Sequence, residues 1–268
     1  MSARELMTEV HRRNPVLAVT GWLHLAMLVV MIGVAFFDAR TVTGWNPWIK
    51  PSKFAVSIAI YTFTLAWFLP HLAHYRRTVR FVSWGTAFVF VGEMICVVSQ
   101  AARGVPSHFN ISSAYDATVF GIMGMLITFN TLLVLITLFL FFGKTAAALP
   151  PAYLWGIRLG VLLFLLASIE GFAIVNNMGH TVGQPDGGAG LPIVNWSTRA
   201  GDLRIAHFLG FHALQILPLA GSAFSRWRSG AVRRRAVAFT LALGLVYFMI
   251  FSLLFLQASH GRPLIAWL

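Results

Sequence analysis

Two carboxylates and three histidines stand inside runs of apolar residues: Glu93, Glu170, His24, His207 and His212. An ionisable group at the centre of a membrane helix costs roughly 2.5–3.5 kcal/mol on insertion scales, so each implies a partner or a task. Carboxylate and imidazole groups on facing helices can hold a metal, relay a proton, or bind one another. As ligands, Glu93, Glu170, His180, His207 and His212 suit zinc or iron, and an open coordination position would activate water or oxygen. As acid–base groups, Glu93, Glu170, His108 and Asp202 are the candidates for catalysis. Arg103 and Arg204 would bind an anionic group of a substrate, with Gln100 and Trp196 beside them.

Spacing gives these residues directions. Glu93, Cys96, Gln100 and Arg103 fall at i, i+3, i+7 and i+10, one helical stripe that climbs from a buried acid to a terminal cation. Glu170 and Asn177 are also seven apart. His207 and His212 are five apart, about 140° around a helix, so they face different ways. At 1.5 Å per residue, Glu93 lies roughly 12 Å, Glu170 roughly 8 Å and His212 roughly 10 Å below the same surface, with His207 near it. The four thus share one layer, on three helices, and His108 and His180 reach it from the loops above.

Competing readings of the same residues stay open. Interhelical pairing alone, Glu93 with Arg103, Gln100 or a histidine and Glu170 with His212, would contribute about 0.6 kcal/mol per pair. A haem held by His24 and His207 or His212 is disfavoured, because His24 lies about 10 Å deeper than His212. His24 reads instead as a packing histidine. No HExxH motif, single-helix ExxH pair or histidine box occurs, and the HxxH of His71 and His74 lies at the opposite end. Ser107, His108 and Asp116 have hydrolytic side chains without a sequence signature for their geometry. A solute or proton path has little to use in the inner half of the spans, where Asn130, His24 and Arg158 are the polar groups.

The elements that must carry these groups are membrane helices. Apolar residues make up 58% of the chain and charged ones 10%, and mean hydropathy is +0.76, too little polar surface for a water-soluble fold. The expected architecture is an all-α polytopic bundle, one transmembrane domain over 1–268. Seven apolar segments are long enough to span, near 16–37, 54–70, 81–101, 118–142, 154–175, 205–224 and 236–258. The first is too long for a signal-peptide core and no A-x-A site follows it, so it is expected to be an uncleaved span. The net charge of +12 sits in short clusters between spans, which suits topology rather than nucleic acid. Arg76, Arg77, Arg80, Lys144, Arg226, Arg228, Arg233, Arg234 and Arg235 join the N-terminal arginines on one side. This bias places the N-terminus in the cytoplasm and the C-terminus outside, against Lys50 and Lys53 on the outer side. The lone cysteine, Cys96, allows no intrachain disulfide.

The loops divide the same way. Those on the inner side are short. The outer loop 176–204 is long, rich in glycine and proline, and carries aromatic and charged residues, which points to a folded cap. Trp45, Trp48, Trp196 and Trp267 would form the outer aromatic belt and Trp227 part of the inner one. Gly156-x-x-x-Gly160 would let two helices approach closely.

The strings NPWIKPSKF (46–54), RGVPSHFN (103–110), HTVGQPDGG (180–188), NWST (195–198) and GDLRIAHF (201–208) span most of the chain. With them the sequence resembles a family of uncharacterised bacterial multi-pass inner-membrane proteins. The resemblance implies a bacterial inner membrane and brings no activity, cofactor or substrate. The leading expectation is an outward-facing His/Glu site, a metal-dependent membrane enzyme acting on a small or lipophilic substrate. A small-solute or proton-coupled transporter and a purely structural assembly protein are the alternatives. The bilayer is the one partner the composition demands.

Overall fold

The computed structural model describes residues 2–143, 148–226 and 230–265. Lys144, Trp227, Arg228 and Trp267 lie outside the described residues, and Arg233 and Arg234 are described by their backbone alone. The first element, α1 (Ala3–Arg13), precedes any apolar run. It starts at a capping box: the Glu5 backbone N–H donates to Ser2 Oγ, and the Glu5 carboxylate accepts from the Ser2 backbone nitrogen at 2.8 Å. Its last turn is basic, and Arg12 and Arg13 both bond Glu9 at 2.8 Å.

Among the described residues six helical runs are long and apolar enough to cross a membrane: α2 (Pro15–Phe37), the run Ile49–Arg103, α5 (Ala114–Phe141), α6 (Pro151–Asn176), α7 (Leu203–Ser225) and the bulk of α8 (Gly230–Ser259). The second run has 55 residues. Straight, it would measure about 80 Å against a hydrocarbon core of about 30 Å. It is two spans, α3 (Ile49–Phe68) and α4 (Arg76–Arg103), joined by a seven-residue 3-10 segment, Leu69–Tyr75. Within that segment Leu72 leaves the helical region (φ −103°, ψ 30°), just after Pro70. The rings of Tyr61 and Phe90 lie 5.2 Å apart. A straight helix would hold them about 43 Å apart, so the chain doubles back. The protein is therefore an all-α, multi-pass helical bundle of seven spans.

Several helices start before their apolar segments: α3 at Ile49, α4 at Arg76, α5 at Ala114 and α8 at Gly230. Helical hydrogen bonding continues past the edge of apolarity, so each of these helices is longer than its apolar segment.

The chain forms two compact units, Met1–Thr137 and Leu138–Leu268, divided within α5. In the first unit α4 packs against both α2 and α3. Its loop end is stitched by Asp38, which accepts from Arg40 at 2.7 Å and from the Trp48 indole at 2.8 Å. These two bonds, Arg40 first, hold the Asp38 carboxyl well below the usual carboxylate range. In the second unit α6 and α7 make the closest helix pair. A Cβ on Gly156 would lie 2.4 Å from the Leu217 carbonyl oxygen, and one on Gly160 would lie 2.8 Å from that of Ala213. Only glycine admits this backbone approach. The segment between α6 and α7 folds as a cap: β1 (Thr181–Val182) pairs antiparallel with β2 (Gly201–Asp202), and Gly190 bridges to Ser197.

Candidate functional site

Each unit carries one carboxylate within an apolar helix and a histidine beside it. In the first unit Glu93, on α4, is fully buried, and neither of its carboxylate oxygens has a hydrogen-bond partner. His108 Nε2 lies 3.8 Å from Glu93 Oε1, just beyond hydrogen-bond length. The loop is shaped to bring the imidazole there. Gly104 ends α4 in the left-handed region, and Phe109 also takes a positive φ of 58°. Ser107 Oγ lies 3.0 Å from His108 Nδ1, and the rings of Phe54 and Phe120 flank the imidazole at 5.6 and 6.2 Å. Lys50, in the first turn of α3, is the cation that acts electrostatically on Glu93.

Gln100 and Arg103 share Glu93's stripe but bond elsewhere. Gln100 donates to Asp116 at 2.8 Å, Arg103 pairs with Asp116, and Ser113 Oγ donates to Asp116 at 2.6 Å. Asp116 is thus committed to a clamp between α4 and α5. The expected pairing of Glu93 with Arg103 or Gln100 is absent among the described bonds. Asp116 likewise makes no bond to Ser107 or His108 there, so the hydrolytic trio is not assembled.

Below Glu93 the buried stripe of α4 continues. Thr86 and Ser83 sit seven and ten residues down the same helix and are both buried. His24, on α2, has Nδ1 2.7 Å from the Thr20 carbonyl and Nε2 3.2 Å from the Phe90 carbonyl. A neutral ring donates to one of these; only a doubly protonated ring donates to both. With both nitrogens facing carbonyls, His24 presents no nitrogen to a haem. Tyr61 donates to Asn130 at 3.3 Å, and Asn14 donates to Ser83 Oγ at 2.7 Å near the far end. The half of this unit away from His108 is therefore more polar than the apolar composition of its spans suggests. Thr and Ser are common in apolar helices, where the hydroxyl can bond back to the helix's own backbone, as Ser83 does to Val79, so neither type marks a site in the sequence; the Thr86 hydroxyl is buried without a partner. Asn14 reads as a helix cap, which it also is.

In the second unit Glu170, on α6, accepts a hydrogen bond from His207 Nδ1 at 2.7 Å, while its other oxygen is buried without a partner. The partner is His207, a correction to the expected His212. The five-residue offset turns His207 towards α6, and His212 Nδ1 bonds back to the Phe208 carbonyl at 2.8 Å. The Phe211 ring covers His207 at 4.1 Å.

The remaining candidates hold the cap together. His180 Nδ1 donates to Asp186 at 2.5 Å, and the backbone nitrogens of His180 and Thr181 add bonds of 3.0 and 2.9 Å. Burial pushes the Asp186 carboxyl up, but the His180 bond and charge and these backbone donors outweigh it and hold the carboxyl well below its ordinary value. Asp202 is fully buried, caps α7, and accepts from Ser197 N at 2.7 Å and Arg204 Nε at 2.9 Å. Arg204 also reaches the Asn195 carbonyl, and Trp196 packs edge-on against Phe208.

Of the five expected metal ligands, His180 and His212 are engaged in local bonds, and Glu170 and His207 bond each other. Among the described residues no three His, Cys, Asp or Glu side chains come together to hold a metal ion. No protein-family model, curated protein or solved structure matches this chain.

Proposed function

We propose that the protein carries protons through its first unit, alone or with a small solute, and that Glu93 is the group that takes up and releases them. His108 exchanges the proton with the loop surface. The observation that supports this reading is a buried carboxyl with both oxygens unpartnered, on a helix whose buried side carries hydroxyls again at Thr86 and Ser83. An enzyme open to one surface has no need of that lower half, whereas a proton path needs polar groups at every depth. His24, with two carbonyls facing its ring, is the next station after Glu93. The test is proton flux into vesicles holding the purified protein and a trapped pH dye, driven by a potassium diffusion potential. Glu93→Gln is expected to abolish flux, and His108→Ala to slow it about 100-fold, as the loss of a proton-transfer group does. Wild-type flux in Glu93→Gln would overturn the reading.

A second reading is favoured by the Glu170–His207 bond alone. A carboxylate that holds Nδ1–H leaves Nε2 as a general base, the relation that orients histidine in acyl-transfer sites. The second unit would then act enzymatically on a small or lipophilic substrate. Lipid and metabolite profiles of cells carrying His207→Gln are expected to show one accumulated precursor; an unchanged profile counts against it.

A further inference from the structure

At the end of the first unit away from His108, the first turns of α4 carry Arg76, Arg77 and Arg80. All three side chains are exposed, and among the described residues none forms a hydrogen bond or an ion pair. The start of α4 also contributes the positive end of its helix dipole. Directly along the same outward face stand Phe81, Trp84 and Phe88, at 52%, 61% and 68% exposure. The three arginines, Phe81 and Trp84 line one concavity of about 520 Å³.

We infer that this concavity is a binding site for one anionic phospholipid. Its phosphate and anionic head lie on Arg76, Arg77 and Arg80, and an acyl chain runs along Phe81, Trp84 and Phe88. The order of chemistry along α4 carries the assignment. Cations come first, then aromatics, then purely apolar surface, over about 18 Å of helix. A phospholipid has the same order along its length. A soluble anion would account for the arginines and leave the aromatic row unexplained. An acidic protein segment would have to follow Trp84 and Phe88 into hydrocarbon, where its own backbone would go unbonded. Guanidinium groups suit phosphate because they bind it in a fork, and tryptophan suits the headgroup boundary because its ring is amphipathic.

The test is native mass spectrometry of the full-length protein in detergent, titrated with phosphatidylglycerol or with phosphatidylcholine of the same chains, with and without excess inorganic phosphate. A first, saturable phosphatidylglycerol is expected to stay bound while phosphatidylcholine does not, and inorganic phosphate is expected not to displace it. Arg77→Gln with Arg80→Gln is expected to weaken that binding at least about tenfold, since each cation near an anionic headgroup matters separately. Trp84→Ala is expected to weaken it with the charges intact. Equal binding by the double variant, equal retention of phosphatidylcholine, or displacement by phosphate would each overturn the assignment. Arg80→Gln alone gives the same test at smaller loss if the double variant does not fold.

Discussion

Glu93 and Glu170 are the same residue type in similar helices, and what reaches them differs. Glu170 is met by a ring from a neighbouring helix at 2.7 Å; Glu93 is met by a loop histidine that stops at 3.8 Å. Both carboxylates were legible in the sequence, because an acid in an apolar run is conspicuous. Their partners were not. Two histidines five apart on one helix are told apart only by how that helix is rotated, and a loop histidine is placed only by backbone turns such as those at Gly104 and Phe109. The cap offers a prediction at this scale. Asp186 has a depressed carboxyl pKa when folded, so its contribution is present above the ordinary carboxylate value of about 4 and lost as pH falls further. Protection of the His180 and Thr181 amides, measured against their intrinsic exchange rates, is expected to be high near neutrality and to decline progressively below about pH 4. Asp186→Asn, which removes the charge, is expected to loosen the same amides at neutral pH by about 1–2 kcal/mol.

Among the elements, the apolar spans were visible as lengths, and the glycine pair on α6 as a spacing. Three elements were not. The helix α1 announces itself through Ser2, Glu5 and Glu9, polar signals of capping and i, i+4 pairing that a search for apolar runs passes over. The two-residue strands of the cap are too short for any alternation to register and exist because Asp186 and Asp202 anchor their ends. The contact of α6 with α7 should be intolerant of side-chain growth. Gly156→Ala places a methyl group 2.4 Å from the Leu217 carbonyl oxygen, which backbone cannot yield without separating the helices. A loss of about 1–3 kcal/mol is expected in thermal or denaturant unfolding in detergent. Gly124→Ala, where an added Cβ meets nothing within 4 Å, is the control and is expected to be near neutral.

At the scale of the whole molecule, the number of spans followed from composition and length, while the division into two units within α5 left no mark on composition or hydropathy. The direction of insertion is an expectation drawn from the arginine clusters, and the chain suits a direct check. Cys96 is its single cysteine, so Cys96→Ala gives a background free of thiols. Ser113→Cys, on the loop side of the first unit, is expected to react in intact cells with a maleimide that does not cross membranes. Arg77→Cys, at the other end of α4, is expected to react only after the membrane is opened. The reverse pattern would invert the topology.

The sharp reversal at Leu72 also bears on how the protein is made. On its own, α4 is a poor candidate for membrane entry, since it carries a buried acid, an amide and two hydroxyls along one side. Only seven residues separate it from α3, which is apolar and lies against it. A ribosome feeding this chain to the insertion machinery would present the two as one hairpin, with α3 already present to shield the polar side of α4 as it leaves the channel. A longer connection would let α4 leave the channel farther from α3, with its polar side less directly covered.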